Sequence, residues 1–399
     1  MTVALPLLQR MLAWVMGFAA LVLLLASGIA EPLDRSLYDA HMRSWSYATG
    51  DQVVIVAIDP QSLAQLGNWP WARSVHARLV QRLTEAGVRG IGMDVTMAEP
   101  DVSHPENDRA YAEAIRRNGH VVMPVFAEAA ELGGVLEEVL PTSDIAREAS
   151  ALGHVDASKD PDGIARGVYL NAGLGQAQWP ALALALFAQD QAGQAIALPG
   201  LRRPHGESYS PYQWVRDNYV LLRFASAAGA FNQVSYIDVL EGRVPDALLK
   251  GRWVLVGATA AGLGDQLATS ASGINAPMPG VEYQANILES LRNHRLITPL
   301  NLPAQLLIGG LLLAAPLALL GWPWFQRRWR LATVTLLAIP LGSLLLLRLG
   351  YLWWPPGACL VVAALGVAAQ ATLAQFERRR AARAPPLAKT WWLDEAQPR

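Results

Sequence analysis

Residues 53–95 read VVIVAIDPQSLAQLGNWPWARSVHARLVQRLTEAGVRGIGMDV. The stretch begins with an unbroken β-branched run, VVIVAI, and ends on a second apolar run, VRGIGMDV (residues 88–95). Short continuous apolar runs of this kind suit strands covered on both faces. Between them, residues 73–86 place Val75, Leu79, Leu83 and Ala86 on one stripe of a helix. Arg73, Arg78, Gln81, Arg82 and Glu85 lie largely on the other sides, and Gly87 closes the helix. Strand, helix and strand in that order imply two parallel strands joined by a right-handed crossover.

The same alternation continues outward. HVVMPVF (residues 120–126), YVLLRF (219–224) and WVLVGA (253–258) read as further strands. Residues 108–118 form a second helical pattern ended by Gly119, and residues 281–295 a last helix. Residues 195–212, rich in Gly, Pro and Ser, read as an exposed excursion. The expectation for residues 31–301 is one α/β domain with a largely parallel sheet, without repeats or low-complexity tracts.

The apolar residues, 52% of the chain against 16% charged, gather at its two ends. Residues 11–30 (MLAWVMGFAALVLLLASGIA) are uncharged and have about the 20-residue length that a helix needs to cross a bilayer. A cleavable signal peptide is the competing reading, because Arg10 precedes the run and Gly28 and Ala30 are small. Either reading exports the chain that follows. Three more apolar runs occupy residues 302–322, 331–347 and 354–376. Arg327, Arg328 and Arg330 lie between the first two, and Arg378, Arg379, Arg380 and Arg383 follow the last. Arginine clusters stay inside, whereas the remaining connection carries only Arg348 with Tyr351, Trp353 and Trp354. Residues 1–10 and 377–399 are therefore expected in the cytoplasm and residues 31–301 outside. One N-terminal and three C-terminal transmembrane helices would make an α-helical membrane module. Pro316, Pro340 and the Pro355-Pro356 pair suit a packed bundle.

Several function classes are disfavoured. A net charge of −1 provides no field for a nucleic-acid backbone. The single cysteine, Cys359, excludes an intramolecular disulfide. GATAAGLG, starting at Gly257, keeps the glycines of a phosphate loop but has Leu263 where its lysine should stand. The seven histidines show no zinc-hydrolase spacing, and no catalytic motif is present. No catalytic residue, cofactor or metal is expected. Ligand-binding candidates are the acids at the carboxyl ends of two expected strands, Asp59, Asp94, Glu99 and Asp101, where open α/β sheets bind ligands. Trp69, Trp71 and Arg73 offer an aromatic contact surface beside them, and Asp265 follows the late glycines. Each has a plainer alternative: Asp59 and Asp94 as caps or turn ties, the tryptophans as packing for their own loop. Asp160-Pro161-Asp162-Gly163 reads as a tight turn, because the later ligands of a calcium loop do not follow.

Three segments together carry a resemblance: residues 53–101, then GHVDASKDPDGIARGVYL (153–170), then YIDVLEGRVPDALLKGRWVLVGATAAGLGDQLATS with PMPGVEYQANILESL. Over residues 34–296 the chain resembles the CHASE type 2 domain, the second cyclase- and histidine-kinase-associated sensing extracellular domain. The resemblance implies a bacterial receptor in the inner (plasma) membrane, multi-pass, whose large domain senses an unidentified ligand or protein in the periplasm or outside. In such proteins a cyclase or a kinase usually follows the third C-terminal helix. Here residues 377–399 are too few for one, so the signal is expected to pass to a separate cytoplasmic cyclase or kinase partner, and two copies of the chain could pair. Trp391 and Trp392 could dock that partner or the membrane surface. A membrane scaffold for envelope assembly and an envelope enzyme working at the acidic rim are the other readings.

A periplasm-active reporter fused within residues 31–301 is expected to be active, and the protein to stay with membranes in alkaline carbonate. A cytosolic reporter or release by carbonate would refute this topology.

Overall fold

The computed structural model describes residues 4–129, 135–191, 197–202, 210–226, 228–263, 266–319 and 328–383. In chain order, α1 (Ala4–Ser27) leads through Gly28, in the left-handed conformation (φ 69°), to α2 (Glu31–Arg43). The stretch quoted first becomes β1 (Val53–Ile58), α3 (Pro60–Leu66), α4 (Arg73–Glu85) and β2 (Gly90–Asp94). Next come α5 (Pro105–Asn118), β3 (Val121–Ala129), β4 (Leu136–Val139), α6 (Ser143–Glu148) and β5 (Ala151–His154). β6 (Gly167–Leu174), β7 (Trp179–Pro180), α7 (Leu182–Ala188) and β8 (Trp214–Leu221) follow. The chain continues through β9 (Asn232–Ser235), α8 (Tyr236–Leu240), β10 (Trp253–Ala258), β11 (Gln266–Thr269), β12 (Gly273–Pro279), α9 (Gly280–Arg292) and β13 (Thr298–Pro299). α10 (Leu302–Leu319), α11 (Arg328–Gly350), β14 (Leu352–Trp353) and α12 (Gly357–Arg383) complete the described elements.

These divide into two compact units. The larger holds Arg35–Asn301 together with Leu344–Trp354. Its main sheet runs β3-β2-β10-β1-β9, all parallel, with β5 parallel along the first half of β3 and β4 antiparallel along its end. The alternation of β1 explains why every one of its residues is apolar. Val54, Val56 and Ile58 meet α4 and α5 on one face, while Val53, Ile55 and Ala57 meet α7 and α9 on the other. Val75, Leu79, Leu83 and Ala86 join the first of these cores, as the helical stripe requires. Gly87 (φ 70°) stands just past α4, and Gly119 (φ 73°) ends α5 in the left-handed conformation.

One expected strand lies elsewhere. Only Tyr219–Leu221 of YVLLRF is stranded, as the end of β8, and β8 belongs to a three-stranded antiparallel sheet, β7-β6-β8. The physical reason lies just upstream, where β8 carries Arg216 and Asp217. These pair with Asp156 (2.5 Å) and Arg202 (3.6 Å) beside the strand, an arrangement that a strand covered by helices on both faces could not provide. The excursion at 195–212 returns to this sheet, because Leu201 exchanges backbone hydrogen bonds with Tyr219 (2.9 and 3.0 Å); residues 195–196 and 203–209 lie outside the described residues.

The smaller unit holds Met1–Asp34, Leu302–Ser343 and Pro355–Arg399. α1 and α10 approach closely at Gly309 and Gly310: a Cβ on Gly309 would lie 2.7 Å from the Leu21 side chain, and the Trp14 indole N–H donates to the Gly310 carbonyl (3.1 Å). Among the described residues, two helical stretches are long and apolar enough to cross a membrane, Arg10–Ser27 and Ala332–Gly350. The apolar parts of α10 and α12 are shorter, Leu302–Ala315 and Gly357–Ala369. Arg327, Trp391 and Trp392 lie outside the described residues.

Among the described residues of the larger unit, two histidines are buried neutral. Burial, with the nearby Arg73 charge, lowers His76 to about 4, and its Nδ1 shares a hydrogen bond with the Tyr236 hydroxyl (2.9 Å). Burial also lowers His154 to about 4, against the opposing influence of Asp156. An unfolded histidine titrates near 6.5, so between about 6.5 and 4 the unfolded chain binds more protons and stability falls as pH falls. Each should withdraw on the order of 3 kcal/mol by the lower end of that window. Urea midpoints are expected to drop from pH 7 to pH 5, and His154→Gln to flatten the dependence; equal midpoints would show that these rings are not held neutral.

Candidate ligand cleft

The carboxyl ends of the parallel strands do not end in solvent. They enter a cleft of about 1070 Å³, bounded on the sheet side by Ile58, Asp94 and Phe126. The antiparallel sheet supplies the facing wall through Trp214 and Arg216, and the start of α9 supplies another at Gly280 and Val281. A single glycine allows this approach. A Cβ on Gly257 would lie 2.6 Å from the Val281 Cβ and 3.3 Å from the Asp94 Cβ, so the residue that imitates a phosphate loop in the sequence serves helix packing.

The facing wall is electrostatically closed. Asp156 accepts from Arg216 Nε (2.5 Å) and Nη2 (3.0 Å) and from the Trp214 indole N–H (3.2 Å). Burial raises the Asp156 pKa, but the bonds and charge of Arg216 outweigh it, and the carboxyl stays below the ordinary range. Lys159, exposed at the same cleft, makes no ion pair among the described residues. Gln284, one turn into α9, is 2% exposed, and its Oε1 has no hydrogen-bond partner there.

The sequence candidates separate into groups. Asp94 and Trp69 line the cleft. Asp59 caps α3, accepting from the Ser62 backbone N–H (2.8 Å), the Ser62 hydroxyl (2.6 Å) and the Ser235 hydroxyl (2.9 Å). Trp71 is buried, donates its indole N–H to the Gly67 carbonyl (3.0 Å), and packs on Tyr236 at 4.9 Å and Trp69 at 5.1 Å, across a cis Trp69-Pro70 peptide. Arg73, Glu99 and Asp101 meet in the loop after β2. Arg73 pairs with Asp108 (2.8 Å) and donates to the Glu99 carbonyl. Asp101 accepts from the His104 N–H (2.9 Å) and Asn107 Nδ2 (3.0 Å), and these bonds lower its pKa. Asp265 lies outside the described residues.

The Asp160–Gly163 run is a tight turn: the Gly163 N–H donates to the Asp160 carbonyl (2.8 Å), and Gly163 has φ 80°. Its two acids also do something the sequence reading missed. With Asp39 of α2 they surround Arg166, which is 3% exposed, at 2.6 to 2.9 Å. A charge set just before the strand GVYLNAGL was the available signal. Asp156, Lys159 and Gln284, which lie inside the stretches that carry the resemblance, and Arg216 were also missed, because no residue-type pattern marks their part in the cleft. Among the described residues, no three His, Cys, Asp or Glu side chains are grouped to hold a metal ion.

The CHASE2 domain family matches residues 15–321, well over half of the chain. The chain belongs to the CHASE2 family. This is a family of extracellular sensory domains, not of catalytic ones. The CHASE2 match reaches further than the motifs at 34–296, starting inside α1 and ending just past α10, so the family unit takes in one helix on each side of the α/β domain. No curated protein and no solved structure matches this CHASE2 chain.

Because Asp59 caps α3 and ties it to Ser235, Asp59→Ala is expected to cost about 1 to 2 kcal/mol of stability, and Asp59→Asn clearly less. Denaturant unfolding measures both; an unaffected alanine variant would leave Asp59 without this capping role.

Proposed function

We propose that this CHASE2 chain is a bacterial inner-membrane receptor module. Its α/β domain lies outside the cytoplasm, binds its stimulus in the cleft, and passes the change through α1 and α10–α12 to a cytoplasmic cyclase or kinase partner. The observation that carries the reading is the attachment of the segment linking α11 to α12. Residues Leu344–Trp354, the end of α11 together with the start of the link, belong to the larger unit, where β14 pairs in parallel with β13 and the Leu300 N–H donates to the Trp353 carbonyl (2.9 Å). Arg348 and Arg223 lie over the Trp45 ring, at 4.9 and 4.2 Å from its centre, and Arg223 donates to the Tyr351 hydroxyl (3.2 Å). Trp353 meets Tyr38 edge to face at 5.1 Å.

The entering segment is tied as well. α2 follows α1, and through Asp39 it takes part in the buried Arg166 cluster; the Tyr38 hydroxyl donates to the Leu222 carbonyl (3.0 Å). The sensory domain thus grips chain leading into more than one apolar helix. A stimulus that favours one arrangement of the domain can bias those helices, by no more than its difference in affinity for the two arrangements. The link between α11 and α12 belongs to the larger unit, which on this reading agrees with the arginine pattern and supports the two shorter apolar stretches as crossings.

Photocrosslinking in cells from position 376, between the apolar part of α12 and its arginines, should recover a nucleotide cyclase or a protein kinase. Recovery of envelope-assembly proteins alone would replace the receptor with a scaffold.

A further inference from the structure

We propose that the cleft takes a small zwitterion carrying a carboxylate and an ammonium group, an amino acid or a dipeptide. The proposal rests on the cleft being the stimulus site and names the ligand chemistry that the site suits.

The carboxylate end is set by α9 and Lys159. α9 is 13 residues long, begins at the cleft with Gly280 and Val281, and has Pro279 as an N-cap without a side-chain bond. The start of such a helix carries partial positive charge and backbone N–H groups without helical partners. The acid in its first turn, Glu282, accepts from the Gly229 N–H (2.7 and 2.9 Å) and the Ala230 N–H (2.9 Å). Of the two cations at the cleft, Arg216 is neutralised by Asp156, whereas Lys159 has no ion-pair partner among the described residues.

The ammonium end is set by Gln284. Its Oε1 is buried and without a partner among the described residues, and an amide oxygen can only accept. Leaving such an atom unpaired costs about 1 to 3 kcal/mol, which a donor on a ligand would recover. Asp94, beside Gly257, adds negative charge at the same rim. A fully ionised anion would satisfy the helix start but offer Gln284 no donor. The indoles of Trp69 and Trp214 line the same cleft, where an apolar ligand side chain can lie against them.

The full chain in lipid nanodiscs, tested by thermal shift and calorimetry against the common L-amino acids and a dipeptide panel, should bind at least one. Acetate and methylamine should bind about tenfold more weakly or worse, since each supplies one end only. Lys159→Ala and Gln284→Leu should each weaken the bound compound about tenfold. Lys159 is exposed, so its variant reports even if Gln284→Leu does not fold. No binding of any amino acid or dipeptide, or unchanged affinity in Lys159→Ala, would overturn the proposal. A chain that recovers a cyclase or kinase by crosslinking yet binds no zwitterion loses this inference alone; one that binds an amino acid but recovers no such enzyme loses the receptor reading alone.

Discussion

The first turn of α9 rests on β10 at Gly257 with no Cβ between them, and much of the larger unit follows from that approach. It brings an uncapped helix start to the carboxyl edge of a parallel sheet, beside the acid that ends β2. It also commits α9 to burial along nearly its whole length, so its polar residues must find partners inside the protein. Asn286 does so by accepting from the Ala225 N–H (3.0 Å) and donating to the Glu282 carbonyl (3.0 Å). Glu289 does so with Arg292 (2.9 Å) and Asn293 (2.9 Å). Gln284 Oε1 and Ser290 Oγ, on the same helix, are left without partners among the described residues, and of the two Gln284 lines the cleft.

Charge inside the domain is handled by multiple partners for each group. Arg166 has three carboxylates around it, and Asp156 takes both a guanidinium and an indole donor. A buried ion is tolerable only when its hydrogen-bonding capacity is filled, and removal of one partner leaves the remaining charge uncompensated. The Arg166 cluster joins α2 to the turn before β6, segments far apart in sequence.

Aromatic and cationic side chains divide the remaining work. Trp69, Trp71, His76 and Tyr236 form one packed group that holds the loop between α3 and α4 against the sheet. A second group, Trp45 with Arg223, Arg348 and Tyr351, fastens the link between α11 and α12 to the α/β domain. Both use the face of an indole, which binds a ring edge or a cation without needing to be hydrated.

Local pattern was enough for the layered α/β core. VVIVAI can be buried on both faces only between helices, and the stripe of Val75, Leu79, Leu83 and Ala86 supplies one of them. The Asp160–Gly163 turn was legible for the same reason, since it depends on residues adjacent in the chain. The candidate cleft was legible only in part. The carboxyl ends of the strands marked the rim and named Asp94 and Trp69, but Asp59, Arg73 and Asp101 have the same local signal and are engaged in capping and loop bonds. Lys159, Gln284 and the Asp156–Arg216 pair give no sign of their part in the cleft in one dimension, because it arises from distances between segments that only folding brings together. Sequence by itself determined the period, the apolar ends and the turns, which are set by neighbouring residues. Tertiary structure alone decided which charges are neutralised and which polar atoms are left without a partner, because burial and pairing depend on the whole chain.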